Sequence, residues 1–210
     1  MRRTPLSENI TIAGPAGALE ALWELPQGDE VAGAAVVCHP HPQHGGTLRN
    51  KVTHTRARAF LARGLMALRF NFRGVGASEG SWDEGRGELD DALAAIDAAS
   101  ERAAGKPLWL AGFSFGGAIA IRAAAQRDLA GLVTVAPAVS RLGNLSAPAC
   151  PWLIVHGDAD DVLDVEETID WVNALEPGPE LEIFEGAGHF FHGRLVELRE
   201  AVEAFIGENP

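Results

Sequence analysis

The sequence predicts an α/β fold in which a mainly parallel sheet is doubly wound, with helices on both faces. Strand patterns and helix patterns alternate along the chain, and this alternation requires crossover connections between parallel strands. Residues 31–38 (VAGAAVVC) form a continuous apolar run, which is typical of a strand buried on both faces of such a sheet. With 210 residues and no evident repeat or linker, the chain is expected to form a single domain, 1–210.

The first elements depart from the parallel pattern. Two short strands are predicted at 9–13 and 18–25, and the Gly-Pro-Ala-Gly segment 14–17 joins them. A connection this short favours an antiparallel pair at an edge of the sheet. A turn at 26–29 then leads into the apolar strand 31–38.

The remaining elements follow the alternation. The predicted strands are 65–72, 108–111, 129–136, 152–156 and 181–184. The predicted helices are 50–63, 87–104, a helix beginning at Phe115, 165–175 and 193–206. Active sites in open parallel sheets lie outside the carboxyl ends of the strands. Residues that directly follow a strand are therefore the candidates for chemistry.

Composition excludes several classes of partner. The formal net charge of −12 argues against nucleic acid and anionic membrane surfaces, because both require clustered Lys and Arg. Apolar stretches reach only about 8 residues, so no transmembrane helix is predicted. Arg2 and Arg3 have no hydrophobic region behind them and do not form an export signal. Cys38 and Cys150 are interpreted as buried free thiols, which favours a reducing, cytoplasmic location.

A serine flanked by glycines follows strand 108–111. Residues 112–116 (GFSFG) fit the Gly-x-Ser-x-Gly nucleophile elbow, a strained turn that projects the serine hydroxyl above the sheet. The N–H of Phe115 would lie at a helix N-terminus, where it can stabilise an oxyanion. Ser114 is therefore the candidate nucleophile. The alternative is an ordinary turn in which Ser114 is only the helix N-cap.

Two further strand ends supply an acid and a base. Segment 157–161 (GDADD) follows strand 152–156, and His189 comes shortly after strand 181–184. A serine hydroxyl needs a base within hydrogen-bond reach, and histidine can accept the proton and then return it. An acidic residue must orient the imidazole and stabilise its charged form. From the residues alone, the acid stays open among Asp158, Asp160 and Asp161.

Several of these segments resemble motifs of the α/β hydrolases. Segment 155–160 (VHGDAD) is similar to the His-Gly-x-x-Asp motif, which implies that Asp160 is the triad acid. Asp158 and Asp161 would then cap and solvate the loop. The segment around His189 (GAGHFF) is similar to the family's catalytic histidine segment, with His192 as the alternative base.

The loop after strand 31–38 lies where this superfamily keeps its oxyanion loop. Residues 39–46 read HPHPQHGG, and Pro40 and Pro42 have no N–H to donate. The resemblance implies that the backbone N–H of His41 pairs with that of Phe115 to form the oxyanion hole. Three histidines in this loop could instead suggest a metal site. No carboxylate or cysteine completes such a set, so we expect neither metal nor cofactor.

A second loop resembles a family signature without carrying chemistry. Residues 73–80 (RGVGASEG) follow strand 65–72 and do not continue into a dinucleotide fingerprint. We expect a structural loop in which Arg73 anchors the segments near the site. Ser78 has no elbow around it and is a weak nucleophile candidate.

Together these segments identify the chain as similar to a small bacterial group of serine hydrolases or esterases related to dienelactone hydrolases and serine peptidases. The resemblance implies the α/β-hydrolase fold. Ser114 stands where dienelactone hydrolase has a cysteine, which argues against that activity. Only 137–151 separates two predicted strands where many esterases insert a lid, so we expect no cap domain and an open site.

The leading hypothesis is a cofactor-free serine hydrolase that cleaves esters or thioesters of small acyl substrates through an acyl-enzyme. A peptidase or amidase with the same triad is the first alternative. A binding protein without catalysis on a hydrolase scaffold is the second, but it would require a broken triad. The sequence does not indicate the oligomeric state.

Overall fold

The computed structural model of the chain describes residues 6–28, 30–141 and 147–209. Within these ranges the strands are β1 (Ser7–Gly14), β2 (Gly17–Glu24), β3 (Gly33–Cys38), β4 (Leu65–Phe70), β5 (Leu108–Phe113), β6 (Gly131–Val135), β7 (Trp152–Gly157) and β8 (Glu180–Phe184). The α-helices are α1 (Lys51–Ala62), α2 (Arg86–Ala103), α3 (Phe115–Ala124), α4 (Val165–Asn173) and α5 (Leu195–Glu208). The strands form one sheet in the order β1-β2-β4-β3-β5-β6-β7-β8.

The sheet changes from antiparallel to parallel at β4. β1 pairs antiparallel with β2, and β2 pairs antiparallel with β4, while every neighbouring pair from β4 to β8 is parallel. The predicted antiparallel strands at a sheet edge are therefore confirmed, with β1 as the edge strand. Residues 136–151 between β6 and β7 are too few to form a helical cap domain, in agreement with the expected fold without a cap.

Both faces of the central strands of the sheet are buried, as the apolar run in β3 predicts. Ala34 and Val36 pack into a core on the side of α2 and α3, whereas Ala35 and Val37 pack into a core on the side of α1 and α5. Successive strand residues point to opposite faces, so one short strand serves both cores. Sheet and helices thus hold the strand ends rigidly, which is where the candidate catalytic residues lie.

Two strands end two residues away from the predicted boundary at the edge that carries the site. β4 ends at Phe70 and not at 72, because the Phe72 N–H donates to the ring of His39 and no longer to a neighbouring strand. β5 continues to Phe113 and not only to 111, because Phe113 pairs with Val135 of β6. The apolar pattern could not indicate either change, since both depend on partners distant in the sequence.

The two cysteines differ in exposure. Cys38 is buried, and its burial raises the pKa of the thiol to about 12, so it stays protonated and unreactive. Cys150 is only half-buried, so the expectation of two buried thiols is correct for one of them.

None of the helices in the described part of the chain is long and apolar enough to cross a membrane.

Arg73 anchors the loop after β4 to helix α2, as expected. Its Nε and Nη2 atoms donate to Oδ2 and Oδ1 of Asp91 at 3.0 and 2.8 Å, and its backbone N–H donates to the same carboxylate at 2.9 Å. The Asp91 side chain is fully buried, and that of Arg73 is nearly so. Two parallel hydrogen bonds of this kind fix orientation as well as distance.

Replacing Asp91 with asparagine is expected to destabilise the fold by about 3 kcal/mol, because it leaves the Arg73 guanidinium buried without a counter-charge. Urea unfolding followed by circular dichroism measures the loss. Asp97 on the same helix pairs with Arg127 at the surface, so Asp97→Asn should change the free energy of unfolding by less than about 1 kcal/mol. Equal effects of the two substitutions would contradict this interpretation.

Candidate active site

Ser114 lies on a strained turn between β5 and α3. Its φ and ψ are 55° and −119°, a left-handed conformation that is rare for a residue with a side chain. The turn is held by backbone hydrogen bonds: the Ser114 N–H donates to Val135 O at 3.0 Å, and the Gly117 N–H donates to Ser114 O at 2.9 Å. This is the local geometry of a nucleophile elbow.

The two glycines of the elbow are required by close backbone approach. A Cβ on Gly112 would lie 2.1 Å from Gly116 O, inside the same turn. A Cβ on Gly116 would lie 2.2 Å from His39 O, in the loop after β3. Gly112 therefore allows the turn itself to close, and Gly116 allows the loop after β3 to pack directly against the start of α3.

This packing brings the two predicted oxyanion segments together. The Phe115 N–H lies in the first turn of α3 and has no acceptor among the residues described. The ring of His41 lies 5.1 Å from the ring of Phe115, centroid to centroid, and Trp82 contacts both rings at 4.7 and 5.1 Å. The loop that contains the His41 N–H therefore packs against the turn that contains the Phe115 N–H.

His39 in the same loop has a structural role. It is fully buried, its Nδ1 donates to Pro40 O at 2.6 Å, and its Nε2 accepts from the Phe72 N–H at 3.1 Å. Burial lowers the pKa of His39 to about 4, so the ring stays neutral. Both ring nitrogens are therefore occupied and cannot bind a metal. His44 stacks on His41 with ring centroids 4.3 Å apart.

The structure brings Asp160 and His189 together. Asp160 Oδ2 lies 2.7 Å from Nδ1 of His189, and both side chains are buried. The other oxygen, Oδ1, accepts the backbone N–H groups of Val162 and Leu163, each at 2.8 Å. One carboxylate is therefore tied to its own loop through one oxygen and to the histidine through the other.

Hydrogen bonding keeps Asp160 ionised. Burial alone would raise the pKa of its carboxyl group, but four hydrogen bonds outweigh this effect and hold the pKa well below its usual range. The donors are the rings of His156 and His189 and the backbone N–H groups of Leu163 and Val162. An ionised carboxylate is the form that can orient and stabilise an imidazolium.

The alternative acids and the alternative base lie outside this arrangement. Asp158 is exposed, and its Oδ1 accepts the Gly186 N–H at 2.6 Å, which is a loop contact. Asp161 is exposed. His192 is also exposed and packs against Phe190 with ring centroids 5.9 Å apart. Of the candidates, only Asp160 and His189 are hydrogen-bonded to each other.

The candidate nucleophile and the candidate base both adjoin Phe113. The ring of Phe113, the residue before Ser114, lies 4.9 Å from the His189 ring. No hydrogen bond joins the Ser114 hydroxyl to His189 among the described residues. Such bonds are often long or poorly aligned in free enzymes and shorten when substrate binds. Ser114 and His189 are both buried, at 8% and 3% exposure.

Ser78 has no free hydroxyl for chemistry. Its Oγ donates to Asn71 O at 2.7 Å and accepts the Glu20 N–H at 2.9 Å. The side chain therefore joins the loop after β4 to β2. This agrees with the expectation that the loop is structural.

Three residues beside the site were not anticipated. His156 donates to Asp160, Trp82 packs over the oxyanion segments, and Phe190 contacts the His189 ring with centroids 5.0 Å apart. The sequence does mark His156, because it is the first residue of the His-Gly-x-x-Asp motif. Phe190 directly follows the candidate base. Trp82 has no comparable signal, since its position depends on how the loop after β4 folds back.

Comparison with known proteins shows the family of the chain. A family model described as serine aminopeptidase, S33, matches residues 30–149. A Coxiella burnetii α/β serine hydrolase homologue is 43% identical, with a TM-score of 0.91 over 97% of this chain and 98% of that chain. A Xanthomonas campestris α/β serine hydrolase without a lid is 38% identical, with a TM-score of 0.91 over 99% and 96%.

A relative from Rickettsia prowazekii supports the same placement. This uncharacterized protein is 31% identical over 209 residues, which cover 94% of this chain and 87% of the relative. The similarity thus extends over nearly the whole chain. The chain therefore belongs to the α/β serine hydrolases of the S33 serine aminopeptidase family, and it is a hydrolase with a lidless α/β-hydrolase fold.

Proposed function

We propose that the protein cleaves carboxylic ester or thioester bonds of small, accessible substrates through an acyl-enzyme intermediate. Ser114 is the nucleophile, His189 is the base, and Asp160 orients the imidazole. The observation that carries this proposal is the 2.7 Å hydrogen bond between His189 Nδ1 and Asp160 Oδ2, beside a strained serine turn. A serine, a histidine and an ionised carboxylate in this order perform acyl transfer.

In the first half-reaction the Ser114 hydroxyl attacks the carbonyl carbon, and neutral His189 takes its proton at Nε2. The Nδ1–H bond to Asp160 fixes the tautomer that leaves Nε2 free to accept. Negative charge develops on the carbonyl oxygen and is stabilised by the N–H groups of Phe115 and His41. His189 then gives the proton to the leaving alkoxide or thiolate, and the acyl group stays on Ser114.

In the second half-reaction water replaces the leaving group. His189 takes a proton from the water, whose oxygen attacks the acyl carbon, and the same two N–H groups stabilise the oxyanion again. Collapse of this intermediate returns the proton to Ser114 Oγ and releases the carboxylic acid. The sum is one ester and one water converted to one acid and one alcohol, so the chemistry requires no cofactor.

A cavity beside the base supports a small substrate. It has a volume of about 310 Å³, and its lining residues are Asn50, Lys51, Val52, Phe190 and His192. This volume is near the lower end for small-molecule sites. Phe190 is 44% exposed there, although it is a large apolar side chain. An apolar group of the substrate would cover it.

A peptidase is the second candidate, because the matching family model is described as serine aminopeptidase. An aminopeptidase must recognise a free α-amino group, and a carboxylate would be the natural partner for that cation. Among the described residues that line the cavity beside His189, none carries a carboxylate. This composition favours a neutral ester over a peptide N-terminus.

A panel of matched substrates tests the proposal. We expect the purified protein to hydrolyse p-nitrophenyl acetate and butyrate, and a short-chain thioester, at least about 100-fold faster than aminoacyl p-nitroanilides. Initial rates at several concentrations give kcat/KM for each compound. If an aminoacyl p-nitroanilide is hydrolysed faster than every ester, the esterase proposal is wrong and the protein is a peptidase.

The rate of ester hydrolysis is expected to fall on acidification, because protonated His189 cannot accept the Ser114 proton. Asp160 stays ionised throughout this range, since its pKa lies well below the usual value. The acid limb should therefore follow the loss of a single proton-accepting group. Measuring kcat/KM between about pH 8 and pH 5 checks this, and a flat profile would exclude a histidine base.

A further inference from the structure

A second buried histidine contacts the candidate acid. His156 lies in β7, its side chain is fully buried, and its Nε2 is 3.1 Å from Oδ2 of Asp160. This is the same oxygen that lies 2.7 Å from Nδ1 of His189. Two imidazoles on different elements therefore converge on one carboxylate oxygen.

The chemistry of this contact fixes its direction. Asp160 is ionised and can only accept, so His156 Nε2 must carry the proton and donate it. The other ring nitrogen, Nδ1, is buried and has no hydrogen-bond partner among the described residues. Among the described residues, the His156 ring therefore makes a single hydrogen bond, the one to Asp160. Burying an unpaired nitrogen is unfavourable, so fold stability alone is a poor reason for a histidine here.

We propose that His156 is a positioning residue that holds the Asp160 carboxylate in the orientation that His189 requires. The inference rests on the proposed function, since it assigns His156 a part in the same reaction. Backbone N–H groups of the loop hold Oδ1, and His156 holds Oδ2 from the side of the sheet. These donors together prevent rotation of the carboxylate, so Oδ2 faces His189 before substrate binds.

The substitution His156→Leu removes the donor and keeps an apolar side chain of similar size. We expect kcat for p-nitrophenyl acetate to fall about 10- to 100-fold, the loss typical of a hydrogen bond to a charged group, with KM changed less than about 2-fold. The melting temperature should fall by no more than a few degrees, because removal of the unpaired nitrogen offsets part of the hydrogen bond lost at Asp160. His156→Gln can donate from its own Nε2 and should recover at least about 5-fold of the lost kcat.

A matched control and a double substitution complete the test. Thr168 in α4 is buried and has a hydroxyl without a hydrogen-bond partner among the described residues, so Thr168→Val makes a similar polar-to-apolar change and should leave kcat within about 2-fold. If His156 acts through the carboxylate, then His156→Leu in an Asp160→Asn background should lower kcat less than about 3-fold further.

The outcomes separate this inference from the proposed function. If the wild type neither hydrolyses esters nor reacts with a fluorophosphonate probe, the proposed function fails. If the wild type is active and His156→Leu retains kcat within about 3-fold, only the positioning role is overturned. If His156→Leu lowers kcat as much in the Asp160→Asn background as it does in the wild type, the positioning role is also overturned. The same holds if His156→Leu and His156→Gln both lose melting temperature and kcat together.

Discussion

Replacing Ser114 with alanine is expected to lower kcat for ester hydrolysis by about 10⁴- to 10⁶-fold and to abolish labelling by a fluorophosphonate probe. The substitution removes the hydroxyl that would form the acyl-enzyme, while the backbone of the elbow is held by hydrogen bonds of its own. Probe labelling with gel fluorescence, together with rates on p-nitrophenyl acetate, measures both effects. A small residual rate should remain, because the oxyanion donors are still present.

Ser78 provides the matched control. Its hydroxyl is buried and joins Asn71 to Glu20, so Ser78→Ala is expected to reduce stability but to leave probe labelling intact. Labelling that survives in the Ser114→Ala variant would show that another residue reacts, and it would overturn the proposed mechanism. Intact mass spectrometry and peptide mapping of the labelled protein would then identify the residue.

Replacing Asp160 with asparagine is expected to lower kcat by about 10⁴-fold. The carboxylate accepts hydrogen bonds from both His189 and His156, and an asparagine amide would place a donor where an acceptor is needed. His189 would then turn to the tautomer whose Nε2 carries a proton and cannot take one from Ser114. Steady-state kinetics on p-nitrophenyl acetate measures the loss, and circular dichroism checks the fold.

The neighbouring carboxylates are the controls for this substitution. Asp158 accepts the Gly186 N–H in a loop contact, and Asp161 is exposed. Asp158→Asn and Asp161→Asn should each change kcat less than about 3-fold, because neither is hydrogen-bonded to His189. A loss at either position that equals the loss at Asp160 would mean that the acid has been assigned to the wrong carboxylate.

The arrangement of elements was predictable because local rules govern it. A strand buried on both faces needs a continuous apolar run, and β3 has one. A serine between a strand and a helix needs neighbours without a Cβ where backbones approach closely, and Gly112 and Gly116 meet that need. Parallel strands bring their carboxyl ends to one edge, so the gathering of Ser114, an acidic loop and His189 followed from strand order, and the resemblance to the His-Gly-x-x-Asp motif implied Asp160 within that loop.

The ends of β4 and β5 were less predictable, since they depend on contacts between distant residues. Phe72 leaves the ladder to donate to His39, and Phe113 stays in it by pairing with Val135. A window of local sequence contains neither partner. The same limit applies to Trp82, which reaches the oxyanion segments only because its loop folds back over them.

The sequence by itself determined the fold class, the order of the strands and the residue types of the site, because these depend on periodicity, turn chemistry and chain order. The residues alone left three carboxylates open and the motif resemblance implied Asp160, but only the tertiary structure shows that Asp160 is the one hydrogen-bonded to His189. Asp158, Asp160 and Asp161 share one short loop, but Asp158 and Asp161 are exposed, whereas the Asp160 carboxylate is buried and held by two backbone N–H groups. It also decided that His156 shares Asp160 Oδ2 with His189, because that convergence exists only when β7 and the loop after β8 are packed side by side.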